Sequence, residues 1–382
     1  MSESLSRKRA RLRSLLETRE SASAVPEIER RGAPAAPGEL EPLSFAQQGL
    51  WFVCKLEGPN PAYNVPVIVR FAGALDAAAL SRALTALVER HESLRTRFVE
   101  RGGVPHRTIA EPAPVRLEPR KVAKEGAQAG PAAEALYRRE ATRPFDVADG
   151  SLVRAALFEE APDRFVLVFT MHHAISDAWS VGVFLRELVT LYGGGAPDPL
   201  PVTYGDYVDW ERSWLEGGVL AEQLDYWKDR LEDLPPLLPL PTDRPRPEVQ
   251  SSHGETVELA PPEGLLEELK RLGTGAGCSL FVTLTAALAL LLHRYSSQRD
   301  LAIGTGVANR RRPELEGLIG YFVNTLVLRT RVEPEESFAA LLGATREVVQ
   351  GGLAHRDAPY HRVVEHVRPD RATGHTPFLQ VM

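Results

Sequence analysis

The reading of this chain turns on residues 172–180, His172-His173-Ala174-Ile175-Ser176-Asp177-Ala178-Trp179-Ser180. They follow RFVLVFTM (164–171), a run so apolar that it predicts a strand buried on both faces. They lead into SVGVFLRELVTLYGG (180–194), whose apolar spacing predicts a helix stopped by glycines. Neighbours on a strand point to opposite faces, so only one of the two histidines can face a given cavity. An imidazole at a strand end suits general-base chemistry near neutral pH, with Asp177 anchoring the loop. The plainer alternative is a polar turn in which Asp177 or Ser180 is the helix N-cap and both histidines are merely hydrogen-bonded.

Upstream, FAQQGLWFVCKL (45–56) reads as a helix with Phe45, Leu50, Trp51 and Val53 facing inward. VPVIVRF (65–71) and LRTRFVE (94–100) read as strands, and LDAAALSRALTALVERH (75–91) as a helix capped by Asp76. Residues 111–135 are Pro/Ala-rich and loosely patterned. SLVRAALFEE (151–160) pairs with RFVLVFTM. Downstream, prolines punctuate Leu234 to Pro247, an extended connector. Beyond about Glu255, helices are expected in LLEELKRLG (265–273), LFVTLTAALALLLHRY (280–295), SFAALLGATREVVQGGLAH (337–355) and PYHRVVEHV (359–367). Strands are expected in DLAIGTGVA (300–308), in the second part of GLIGYFVNTLVLRTRV (317–332), and in FLQVM (378–382). A strand interrupted at Met382 suggests that the natural chain continues. Two halves that each mix helices and strands make an α/β protein of two lobes.

With 382 residues, 43% hydrophobic and 25% charged, the chain has ordinary globular usage. Its formal net charge of −6 argues against a nucleic-acid partner. Cys54 and Cys278 are far apart, and no CxxC supports a zinc site or a disulfide framework. No apolar run approaches the roughly 18 residues of a membrane span, and the N-terminus is no signal peptide, so the cytosol is the expected location. Residues 4–19 form an amphipathic helix with a basic face, and residues 20–42 read as a linker. The helix is either a loosely packed tail or a docking element for a partner protein.

Metal binding is poorly supported, because His361, Glu365 and His366 match neither HExxH nor HxxEH. GTGVAN (304–309) lacks the last glycine of a dinucleotide fingerprint, and neither a GxxxxGK[ST] loop nor GxSxG occurs. Arg310, Arg311 and Arg312 read as a solvated loop rather than a phosphate site.

HHAISDAWS resembles the HHxxxDG motif of condensation domains of nonribosomal peptide synthetases. Six further blocks resemble that family's motifs in the family's order: LSFAQQGLWF (43–52), RHESLRTRF (90–98), TYGDYVDW (203–210), IGYFVNTLVLRT (319–330), HRDAPYHRVVE (355–365) and, more loosely, RATGHTPF (371–378). The resemblance runs from about residue 42 to the end.

The resemblance implies a V-shaped pseudo-dimer of two chloramphenicol-acetyltransferase-like lobes with a tunnel between them. Expected segments are 1–41 as N-terminal helix and linker, 42–215 as the N-terminal lobe, and 216–382 as a C-terminal lobe truncated at its end. It implies amide formation between a donor acyl or peptidyl thioester and the amine of an acceptor aminoacyl thioester. Each would be held on its own peptidyl carrier protein. No cofactor belongs to the domain itself; the phosphopantetheine arms come with the carriers. An adenylation domain is the expected neighbour, and an upstream synthetase the expected partner of the N-terminal helix.

The same resemblance makes His173 the active histidine, with His172 and Trp179 as motif residues. It gives Asp177 a structural ion pair, placed here with Arg95, and puts Asn324 near the tunnel. Ala178 stands where the motif usually has glycine, which matters only if that position needs a positive φ. The motifs look most like the type joining two L-configured residues. A starter domain that N-acylates the first amino acid is the runner-up. A catalytically silent platform that recruits partners is the competing class, and retention of His172, His173 and Asp177 argues against it.

Overall fold

A four-stranded sheet built around the apolar run at 164–171 organises the first half. The computed structural model describes residues 25–32, 36–122, 130–148, 150–248, 254–368 and 376–382. The predicted helix at 4–19 and residues 371–375 of RATGHTPF lie outside them. The first half runs α1 (Phe45–Glu57), β1 (Asn64–Ala72), α2 (Ala77–Arg90), β2 (Thr96–Arg101), β3 (Val104–Ile109), β4 (Arg120–Lys121), α3 (Pro131–Thr142), β5 (Val153–Ala161), β6 (Arg164–His172) and α4 (Ala178–Tyr192). Then follow α5 (Tyr204–Trp214), α6 (Leu220–Leu231), α7 (Leu265–Gly275), α8 (Leu280–Ser296), β7 (Asp300–Val307), β8 (Asn324–Arg331), α9 (Phe338–Ala354) and α10 (Tyr360–Val367).

The sheet order is β1-β6-β5-β4. β6 runs antiparallel to both neighbours, with Val168 opposite Ile68 on one side and Ala156 on the other. Phe165 to His172 are all buried, as a central strand covered on both faces requires. Val166 and Val168 pack with Ala156 and Phe158 under Tyr137 of α3. Leu167, Phe169 and Met171 join Leu80, Leu84 and Leu87 of α2 and Phe184 of α4. The Phe169 and Phe184 rings stack 4.4 Å apart. α3 does not stand out in the sequence because its inward stripe is Ala133, Tyr137 and Ala141, and alanine carries little apolar signal.

In the second half, β7 and β8 form an antiparallel pair. Leu301, Ile303 and Leu328 pack with α8 and α9, while Leu326 and Val327 join residues of α6 and α10. The halves interlock, because Phe45 at the start of α1 belongs to that last cluster. α1 lies so close to α10 that a Cβ at Gly49 would sit 2.7 Å from His361 Nδ1.

Three expectations are corrected. Residues 25–32 are no free linker: Ile28 packs beside Tyr207 and Phe322, and Pro26 O accepts from Trp210 Nε1 at 2.9 Å. Arg31 adds its backbone N–H to Asp206 at 2.9 Å and its Nε to Asp209 at 2.6 Å. On α1, Val53 is half-buried, and Cys54 takes the inward position. FLQVM forms no strand, because Phe378 has a φ of 62°, which breaks an extended run. It still touches β7, where Gly304 N donates to Val381 O at 2.8 Å.

Candidate active site

β6 ends at His172, whose N–H donates to Leu152 O at 2.9 Å. The chain then makes one 3₁₀ turn, His173–Ile175, before α4. The two imidazoles part there. His172 is buried between the rings of Tyr63 and Phe145. Its Nδ1 accepts from Ala174 N at 3.1 Å, so the proton sits on Nε2, 3.9 Å from Cys54 Sγ. Burial, with repulsion from His173, pushes its pKa down to about 4. His172 is thus a neutral cap of the turn.

His173 is half-buried, and its backbone N–H is fixed by Tyr63 O at 2.7 Å. Its Nδ1 lies 2.7 Å from Ser176 O. A carbonyl only accepts, so Nδ1 carries the proton, and Nε2 keeps a lone pair for an incoming group. The ring packs edge-on to Tyr321, centroids 5.0 Å apart. His173 therefore stands where the first half meets the 317–324 loop of the second.

Asp177 is both N-cap and ion-pair partner. Oδ1 accepts from Ser180 N at 2.8 Å and Ser180 Oγ at 2.7 Å. Oδ2 accepts from Phe322 N at 3.2 Å. The cation opposite is Arg310, Nη2 to Oδ1 3.2 Å, both side chains no more than 3% exposed. Arg310 also donates to Ser180 Oγ at 3.0 Å and to the carbonyls of Leu315 and Leu318. Its guanidinium lies 3.9 Å from the Phe322 ring. Burial pulls its pKa down while Asp177 holds it up. Asn309, at a φ of 50°, turns the chain just before it; asparagine tolerates that left-handed region better than most residues.

Arg310 corrects two expectations. It is not a solvated loop residue, and Arg95 is not the partner of Asp177. Arg95 donates to Val88 O at 3.1 Å, Glu89 O at 3.3 Å and Ala110 O at 2.7 Å. It satisfies end-of-helix carbonyls of α2, as a cation past a helix C-terminus does.

The 317–324 loop is held from every side. Ser180 Oγ accepts from Gly320 N at 3.0 Å. Ile319 N donates to His91 Nδ1 at 3.3 Å, and Ser93 Oγ to Ile319 O at 2.7 Å. Tyr204 Oη donates to Tyr321 O at 2.8 Å. Gly320 permits this approach, since any Cβ there would enter the Tyr204 ring. Sequence reading missed His91, Ser93, Ser180 and Tyr204 in this role, although all four lie in or beside the quoted motifs.

Trp179 is 44% exposed and donates Nε1 to Glu316 O at 2.9 Å. Asn324, expected near a tunnel, is buried and works as a fastener. Its amide N–H groups go to Arg356 O and Ala358 O at 2.8 and 2.7 Å, and its Oδ1 accepts from Tyr360 N at 3.0 Å. Ala178 opens α4 and is absent from the positive-φ residues, so the missing glycine strains nothing. His361, Glu365 and His366 do not converge: Glu365 pairs with Arg362 and His366 with Asp225, while His361 rests on Gly49. Among the described residues, no group of three or more His, Cys, Asp or Glu is placed to hold a metal ion, and no single helix is long and apolar enough to cross a membrane.

Buried titratable groups set an expected pH dependence. His172 and His361 stay neutral in the fold down to about pH 4, while an unfolded imidazole takes a proton near 6.5. Across that window the unfolded state binds more protons, so their contribution is lost as pH falls. Glu211 has the opposite sign. Burial raises it from 4.5 to about 7, so its contribution is lost as pH rises through that range. Glu211→Gln is therefore expected to steepen the loss of stability from pH 6.5 to 5 by about 1 kcal/mol per pH unit. Denaturant melts at both pH values check this; an unchanged slope would reject it.

The Condensation domain family model matches residues 39–382. A polypeptide of the linear gramicidin synthase of Brevibacillus parabrevis is 43% identical over 357 residues, covering 91% of this chain and 5% of that polypeptide. The chain thus spans a small fraction of that curated relative's length. Among solved structures, the X-domain from teicoplanin biosynthesis, in a complex with OxyB, superposes with a TM-score of 0.81 at 29% identity, covering 92% of this chain and 79% of that one. The first condensation domain of the calcium-dependent antibiotic synthetase, with a substrate analogue, gives 0.73 at 24% identity, covering 87% and 78%. That second likeness concerns the fold, an α/β pair of chloramphenicol-acetyltransferase-like lobes.

Proposed function

We propose, from the premise that this chain belongs to the condensation-domain family, that it joins a carrier-bound donor acyl or peptidyl thioester to the amine of a carrier-bound acceptor aminoacyl thioester. The observation that carries the proposal is His173 in the 3₁₀ turn directly after the buried strand β6, with Nδ1 bonded and Nε2 without a hydrogen-bond partner among the described residues. An α-amine has a pKa near 8, so roughly a tenth is already nucleophilic at neutral pH. Holding amine and thioester together supplies most of the acceleration, up to about 7–11 kcal/mol in favourable cases. His173 orients the amine, or takes its proton as the C–N bond forms, for about 10²–10⁴-fold more.

The lobes are proposed as residues 42–215 and 216–382, and the junction of two L-configured residues as the subtype. Donor and acceptor carriers bring their own phosphopantetheine arms, and an adenylation domain is the neighbour. Residues 4–19 dock on an upstream synthetase protein. The second reading is a platform that recruits a partner without chemistry, favoured by the likeness to an X-domain solved with OxyB.

Single-turnover transfer between separately loaded carriers distinguishes the two. Amide on the acceptor carrier is expected, and none in the presence of intact protein would leave the platform reading. In the same assay, deleting residues 1–24 is expected to slow transfer from a separate upstream protein, more so at low salt; an unchanged rate removes the docking role.

A further inference from the structure

Three polar atoms around the histidine turn have no hydrogen-bond partner among the described residues and are not sealed from solvent: Nε2 of His173 and the hydroxyls of Tyr63 and Tyr321. Only the Tyr321 ring meets the ring of His173; Tyr63 lies against His172.

Tyr321 sits in the most firmly held part of the site. Its own carbonyl is bonded by Tyr204, Phe322 N–H by Asp177, Gly320 N–H by Ser180 Oγ, and Ile319 by His91 and Ser93. Phenylalanine would fill the same volume. The hydroxyl makes no hydrogen bond to the described residues that the fold would lose on its removal. A phenol on a fixed backbone, its ring against the base, can supply a donor to a developing negative charge.

We propose that the Tyr321 hydroxyl donates a hydrogen bond to the oxygen of the reacting thioester carbonyl as that oxygen becomes an oxyanion. This rests on the condensation reading above. The amine nitrogen bonds to the carbonyl carbon, and the C=O π pair moves onto oxygen. The nitrogen loses a proton to Nε2 of His173. Collapse of the adduct restores C=O and breaks the C–S bond, and the departing sulfur receives that proton as a thiol. Tyr321 keeps its own proton throughout; burial and the nearby Asp177 push its pKa up to about 12.

The test is single-turnover condensation at saturating loaded carriers. Tyr321→Phe is expected to slow the chemical step by about 10²-fold, the scale of losing one oxyanion donor. The apparent KM for each carrier and the thermal midpoint should not move. Fluorotyrosine at position 321, a more acidic phenol of nearly the same shape, is expected to raise the rate above that of Tyr321→Phe and to track acidity. A Tyr321→Phe protein that condenses at the wild-type rate, or fluorotyrosines that leave the rate flat, overturns the inference while the condensation reading stands. Wild-type protein that makes no amide removes the reading beneath it, and both fall.

Discussion

His173→Ala should lower the single-turnover rate of amide formation by about 10²–10⁴-fold with little change in the thermal midpoint. The imidazole is half-buried, and the one hydrogen bond its side chain makes is to Ser176 O. Its removal leaves the backbone N–H still bound to Tyr63 O and the buried His172 untouched. The loss should fall on the rate at saturating carriers rather than on carrier affinity. A wild-type rate in His173→Ala would end the catalytic assignment and return the chain to the partner-recruiting reading.

Asp177 is expected to show the opposite pattern, a loss of stability with activity following. Asp177→Ala removes a cap from α4 and leaves Arg310 as an uncompensated buried cation, typically about 3–5 kcal/mol. Asp177→Asn isolates the charge, since asparagine caps about as well but leaves Arg310 unpaired. It should still destabilise clearly, and Arg310→Met in the same chain should recover part of the loss. Arg95→Ala should combine with Asp177→Asn additively, within about 0.5 kcal/mol, as sites without a shared partner do. Denaturant melts of these variants decide the matter. A neutral Asp177→Asn, or strong coupling to Arg95 with none to Arg310, would contradict the pairing.

These two residues mark what the sequence makes legible. Local periodicity exposes β6, α2 and α4, because a fully buried strand and an amphipathic helix each write their contacts into consecutive residues. The histidine turn is legible for the same reason, as it lies between two such elements. Arg310 is not, because its partner is 133 positions away and its neighbours Arg311 and Arg312 carry the same side chain. Nothing in three consecutive arginines says which one the turn at Asn309 sends inward. The 317–324 loop is equally silent, since its role depends on carbonyl and N–H groups that every residue possesses. Arg95 misleads because proximity to a motif takes no account of helix-end carbonyls in need of donors.

The segment at 25–41 bears on how this domain is transplanted between assembly lines. A chimera joined at Leu43, where the family-like motifs begin, would discard Arg31 and Glu41 together. Arg107, wholly enclosed, would keep Glu92 as its one carboxylate, Asp209 would lose its guanidinium, and Asp206 would lose the backbone N–H of Arg31. A junction upstream of residue 25 carries that electrostatic clasp across intact, so a graft boundary belongs before the segment that sequence composition alone would treat as spacer.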